Sequence, residues 1–204
     1  MTVVDIEGDD ADAALSAFAA SLRWEDIPER VRHEAKRSLV NIFATALAGC
    51  REPAVDIALE TLTPYSGPAT STVIGRGERV DAPTAAFVNA MGSNIFDFDD
   101  THEATINAVS PYHYTHGWHI TSTCGAFGAA AACGALSGLD AGRMRDAFAT
   151  AAAQSSGLVD TLGTMAKSAS VGGAARNGLI AAALAERGFS GPARPLTGAR
   201  GYLS

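Results

Sequence analysis

Between Gly125 and Leu136 every residue is Ala or Gly except Phe127, Cys133 and Leu136. Such a run offers no large side chains to a half-buried strand, and Ala is the best helix former. Its small surface lets helix backbones approach closely, so it predicts a helix enclosed by other helices. The longer stretch from Gly125 to Leu139 is shorter than the roughly 20 apolar residues that a membrane span requires. Other segments read the same way. Asp9, Asp10 and Asp12 precede a helix over Ala13–Leu22, where acids favour a helix start. Pro28 opens a longer one, in which Val31, Ala35, Leu39, Ile42, Phe43, Ala46 and Leu47 recur at helical spacing before Gly49. Pro53 to Leu62 is a shorter helix. Asp81, with Pro83 in the first turn, starts another through Met91. Asp140 caps Ala141–Ala153, and Gly172–Arg187 ends at Gly188. Only the β-branched Thr72-Val73-Ile74, followed by Gly75-Arg76-Gly77, suggests strands, as one hairpin within Thr70–Val80. The reading is an all-α, helical bundle-like domain over residues 1–204 with at most one small β-hairpin.

The formal charge of −7 argues against a nucleic-acid binder, since such domains are usually basic. The acids crowd into residues 1–110, and only Lys36 and Lys167 are lysines. Cys50, Cys124 and Cys133 show no Cys-x-x-Cys spacing and read as free thiols of a reducing compartment. The opening MTVVDIEGDDADAA lacks the basic-then-apolar pattern of a secretory signal. The expectation is a cytoplasmic protein with no membrane and no nucleic-acid partner.

Three clusters could carry chemistry. Asp97-Phe-Asp-Asp-Thr101-His102-Glu103 packs four acids, a hydroxyl and an imidazole into seven residues. Such a cluster can ligate a hard cation or supply acid and base groups, or it can be a solvated helix end. Phe96 and Phe98 alternate with the acids, which favours a partly buried site. His113, His116 and His119 are spaced by three, a metal array if helical. Gly117 and the aromatic neighbours favour a loop, and with it one polar or catalytic imidazole. Lys167 stands among small residues just before the helix over Gly172–Arg187, where an ammonium can clamp an anion or simply be solvated. Gly75-Arg-Gly77 lacks the third glycine of a dinucleotide fingerprint. Gln154-Ser-Ser-Gly157 sits in helical sequence and is no nucleophile elbow.

Taken in order, these segments resemble the MmgE/PrpD family, which includes 2-methylcitrate dehydratase and cis-aconitate decarboxylase. Trp24-Glu-Asp-Ile-Pro28 with Ala35 to Gly49 is similar to the family's opening helix, and Thr72 to Gly77 to its hairpin. Asn94 to His102 resembles its acidic motif. Gly117-Trp-His-Ile-Thr121, Phe127 to Ala132, Gly138-Leu-Asp140, Gln154 to Gly157, Lys167 and Gly188 to Pro192 follow in family order. The likeness covers almost the whole chain.

Departures accompany it. A His-Pro-Ser element and two helices that the family carries after the acidic motif are missing. The gap reads as an internal deletion near Thr105–Asn107, and a catalytic histidine goes with it. A histidine often found three residues after the family's lysine is Ser170 here. The chain stops where the family continues into a lid domain.

The resemblance implies a lyase of propionate metabolism that dehydrates a 2-methylcitrate-like tricarboxylate, without metal or organic cofactor, as a homodimer. It places Asp97, Thr101 and His119 as catalytic residues, and Lys167 and His102 as substrate-binding ones. Asp97 and Thr101 would share a helix face if they begin a turn, and with His119 and Lys167 they are expected to converge on one pocket. A shortened chain of this kind is expected to have little activity and to self-associate through an exposed Gly125–Leu136 face. The alternatives are a catalytically dead helical association or regulatory module, and an Asp/His metal-dependent hydrolase.

Overall fold

A computed structural model describes residues 11–98, 100, 101, 103, 111 and 113–204. Its α-helices include α1 (Ala11–Ser21), α2 (Glu29–Gly49), α3 (Pro53–Leu62), α4 (Ala82–Asn94), α5 (Ile120–Leu136), α6 (Ala141–Gln154) and α7 (Met165–Glu186). Strands β1 (Ser71–Thr72) and β2 (Arg79–Val80) form one antiparallel hairpin, with Ser71 opposite Val80. The domain is all-α with that small hairpin, and no helix among the described residues is long and apolar enough to cross a membrane.

Local chemistry sets several of these boundaries. Asp81 caps α4 by accepting the Thr84 N–H at 2.7 Å, and Pro83 occupies the first turn, where no N–H is missed. The same carboxylate accepts the Ser66 hydroxyl and the Gly67 N–H, at 2.8 and 2.7 Å, so one side chain joins the hairpin's approach to a helix start. Burial pushes the Asp81 carboxyl up, but the donors from Thr84, Gly67 and Ser66 outweigh it and bring it down to about 2. Asp140 caps α6 through the Arg143 N–H at 2.8 Å. Arg76, at the hairpin tip, reaches the Asp56 carboxylate on α3 at 2.5 Å, Glu78 at 2.8 Å and the Cys50 carbonyl at 3.0 Å. That arginine pins the hairpin to α3.

Helix α7 runs through the middle of the bundle and packs against α5, α4 and α6. Small residues make those crossings possible. A Cβ on Gly178 would lie 2.5 Å from the Ala126 carbonyl oxygen, and one on Gly172 would lie 2.5 Å from that of Phe87. Two apolar clusters result. Ala126, Ala130, Met144, Ala147, Phe148, Ala151, Ala181 and Ala185 fill the space between α5, α6 and α7. Val55, Leu59, Val73, Val80, Val88 and Met91 join α3, the hairpin and α4. The loop after α7 is tied back to α1, where Asp12 accepts the Leu196 and Thr197 N–H groups at 2.7 and 3.0 Å and the Thr197 hydroxyl at 2.6 Å.

Three sequence expectations change, and one holds in part. One face of the Gly125–Leu136 helix is covered, with Ala126, Ala130 and Gly134 buried against α6 and α7, while Gly128, Ala132, Ala135 and Leu136 are exposed. The α2 stripe is exposed as well. Of its seven residues only Ala46 is buried, while Val31, Leu39, Ile42, Phe43 and Leu47 are exposed together with Val40. Helix α2 touches the bundle chiefly through its last turns against α4. Helix α7 begins at Met165, so Lys167 lies in its first turn rather than in a loop before it. Finally, Asp97 has φ +58°, a left-handed conformation, and Asp97, Phe98, Asp100 and Thr101 are not helical. No helical turn therefore carries Asp97 and Thr101 on a common face.

Candidate active site

Two chain crossings build the site. At the first, α4 ends at Asn94 and the left-handed residue Asp97 turns the chain across the start of α7. Asp is among the few side chains that tolerate this conformation. The turn brings its carboxylate onto the Lys167 ammonium, with which it forms an ion pair. The two partners differ in exposure: the Lys167 side chain is 10% exposed and that of Asp97 75%. The cation is held by the fold, and the carboxylate is the solvated, replaceable partner. A cavity of about 300 Å³ opens here, lined by Glu52, Ile95, Asp97, Thr164, Lys167 and Ser168 among others. The first turn of α7 points its N–H groups toward this end of the helix, which adds positive potential beside the ammonium. Glu52 and Asp97 are the opposing acids.

The second crossing fixes His119. The segment before α5 and the loop after α6 meet in an isolated antiparallel bridge between Trp118 and Leu158. The His119 N–H donates to the Gly157 carbonyl at 3.1 Å, and the Val159 N–H donates to that of Gly117 at 3.0 Å. Gly157 has φ +125°, and a Cβ there would lie 2.5 Å from Ser122 Cβ. Only glycine lets the loop pass this close. The His119 ring, 3% exposed, has Nδ1 at 3.0 Å from Ser122 Oγ. Ser122 Oγ lies 2.6 Å from Ser170 Oγ, and the Ser170 hydroxyl donates to the Lys167 carbonyl at 2.7 Å. A chain of hydroxyls thus runs from the imidazole to the turn that carries the ammonium.

The structure brings Asp97 and Lys167 into contact and links His119 to Lys167 through Ser122 and Ser170. His119 does not line the cavity against Lys167. Thr101 is exposed, as are Phe96 and Phe98, so those aromatic rings do not bury the acidic segment. His102 lies outside the described residues, as do Asp99 and the segment 104–110 in which the internal deletion was placed. His113 and His116 sit with Trp118, Thr123, Ser155 and Tyr202 around a separate cavity of about 390 Å³. Gly117, at φ +81°, separates them from His119, so the three imidazoles do not share one helix face. Among the described residues no group of three or more His, Cys, Asp or Glu side chains gathers to hold a metal ion. Ser122, Ser168, Ser170 and Glu52 went unnoticed as site residues in the sequence, although Ser170 was marked there as a departure.

Comparison with known proteins bears on the family. The model of the MmgE/PrpD N-terminal domain matches residues 13–111 and 105–204. A cis-aconitate decarboxylase of Aspergillus terreus is 27% identical over 219 residues, covering 84% of this chain and 45% of the relative. The cis-aconitate decarboxylase of Homo sapiens is 27% identical over 215 residues, 83% of this chain and 45% of the relative. A cis-aconitate decarboxylase-like protein of Aspergillus oryzae is 26% identical, covering 94% of this chain and 50% of the relative. The chain spans about half the length of the curated relatives it matches. The two matched segments together take in nearly all of it, and the chain belongs to the MmgE/PrpD family.

Proposed function

We propose that the chain carries the carboxylate clamp and proton-transfer group of a MmgE/PrpD lyase acting on a tricarboxylate of the 2-methylcitrate or cis-aconitate type. The observation that carries this reading is the Lys167–Asp97 pair at the mouth of a polar cavity: a fold-held cation whose carboxylate partner is mostly solvated. A substrate carboxylate can replace or join Asp97 on the ammonium, supported by the α7 N-terminus. In a dehydration, a base removes the proton from carbon beside a carboxylate. The C–O bond breaks, a double bond forms, and the leaving hydroxide takes a proton to become water. In a decarboxylation, the C–C bond breaks, carbon dioxide leaves and the electron pair on carbon accepts a proton. Both need a held carboxylate and one positioned proton carrier. His119 is that carrier in this reading, with Asp97 orienting Lys167; Thr101 and His102 enter it from the family motif alone, as a catalytic and a substrate-binding residue. Dehydration of a 2-methylcitrate-like substrate is the reading taken first. The relatives' names, as cis-aconitate decarboxylases, make decarboxylation the direct competitor.

A second reading is favoured by one observation, the exposed apolar face of α2. Surfaces of that kind mark association sites, and a second copy of this chain is the proposed cover. The alignments also run longer than the whole chain while taking in only part of it, which supports an internal deletion of a few dozen residues. The activity of the chain by itself is therefore expected to be low, since loss of one positioned proton-transfer group costs about 10²–10⁴-fold. The test is product analysis with 2-methylcitrate and with cis-aconitate, beside the Lys167→Met variant. Slow turnover that disappears with Lys167 supports the lyase. A folded dimer with no Lys167-dependent product supports the association module.

A further inference from the structure

The three hydroxyl contacts behind the site have a direction, and it determines where the histidine carries its proton. The Lys167 carbonyl can only accept, so the 2.7 Å contact from Ser170 Oγ uses the one proton of that hydroxyl. Ser170 Oγ must then accept across its 2.6 Å contact, which makes Ser122 the donor there. With its own proton committed, Ser122 Oγ can only accept from His119 Nδ1 at 3.0 Å. We propose that Ser122 and Ser170 form a one-way hydrogen-bond chain that fixes neutral His119 as the Nδ1–H tautomer and makes Nε2 its basic nitrogen. Ser122 and Ser170 are positioning residues, acting only through the imidazole.

The direction follows from the carbonyl and the count of protons. Which ring nitrogen of a histidine is protonated is set by the bond the other makes. Protonation at Nε2 leaves Nδ1–H in place, so the chain persists in the imidazolium as well. The catalytic meaning of the tautomer rests on the lyase reading above, since a base working from Nε2 needs Nδ1 to hold the proton. Its existence does not rest on that reading.

The test is nitrogen NMR of the full chain with ¹⁵N-labelled histidine, above the imidazole titration, with His119→Gln to assign the signals. The expected wild-type spectrum shows a pyrrole-like Nδ1 and a pyridine-like Nε2 for His119. Ser170→Ala frees the Ser122 proton to turn toward Nδ1, and the ratio of Nδ1–H to Nε2–H is expected to fall about five- to tenfold, the worth of one net hydrogen bond. Ser170→Thr keeps the hydroxyl and is expected to restore the ratio. A wild-type spectrum with the proton on Nε2 overturns the proposal whatever the variants do. A folded Ser170→Ala protein with an unchanged ratio overturns it too. Absence of turnover bears only on the lyase reading.

Discussion

Replacing Gly157 by Ala attacks the point where the loop after α6 passes over Ser122 and accepts the His119 N–H. Two costs add. The backbone at φ +125° is one that L side chains rarely adopt, which costs about 1–3 kcal/mol. The new methyl would sit 2.5 Å from Ser122 Cβ, and relieving such an overlap in a packed site costs about 1–3 kcal/mol more. The sum, about 2–6 kcal/mol, is a large share of the ~5–15 kcal/mol that keeps a domain folded. Gly138→Ala is the matched control. Gly138 also has positive φ, +68°, but nothing lies within 4 Å of a Cβ there, so it should cost only about 1–2 kcal/mol. Urea unfolding of both variants measures the difference. The ring of His119 should also report it, since the cheapest relief moves the loop and lengthens the bond to the Gly157 carbonyl. Equal destabilisation by the two variants, or a cost under about 1 kcal/mol at Gly157, would refute the close approach as the reason for glycine.

Asp81 should make the chain acid-sensitive: its carboxyl falls from 3.8 to about 2 on folding, so its contribution is complete above about pH 4 and is lost as pH drops toward 2. The difference is worth about 2 kcal/mol, and Asp81→Asn should flatten that part of the stability profile. Arg76→Ala should loosen the hairpin from α3 and cost about 2–3 kcal/mol by thermal unfolding, as expected for half-buried, charge-assisted bonds. Replacing Leu39 and Phe43 by Glu should shift the chain toward monomer in light scattering without lowering stability, because both side chains are exposed. A species unchanged by that pair of charges would place the association surface elsewhere.

Much of the scaffold was legible because its signals are local. The Asp81 and Asp140 caps, the prolines and the Thr72–Gly77 turn each act within a few residues, and all of these elements form where they were read. The errors have physical causes. Periodicity in α2 marks an apolar face but says nothing of what lies against it, and here little does. The start of α7 was missed because Thr164 makes no side-chain capping bond and paired glycines follow within the helix. The Asp97 turn depends on one residue entering the left-handed region, which no spacing rule reports. Asp97 and Lys167 were both singled out by type, but their pairing spans 70 residues of chain. Ser122 and Ser170, 48 apart, are ordinary hydroxyls in small-residue helices, and only the α5–α7 crossing gives them a role.

The central claim is that Lys167, held by the fold and faced by Asp97, receives a carboxylate of the substrate. Calorimetric titration of the chain with cis-aconitate and with 2-methylcitrate, repeated on Lys167→Met, tests it most directly. Asp97 is mostly solvated and can face water without its partner, and Met keeps the apolar stem of the buried lysine, so the variant should stay folded. The account predicts saturable binding to the wild type that weakens at least about tenfold without the ammonium, as expected when a charged hydrogen bond is lost. Equal binding by the two proteins, or no binding of either compound to the wild type, would contradict it.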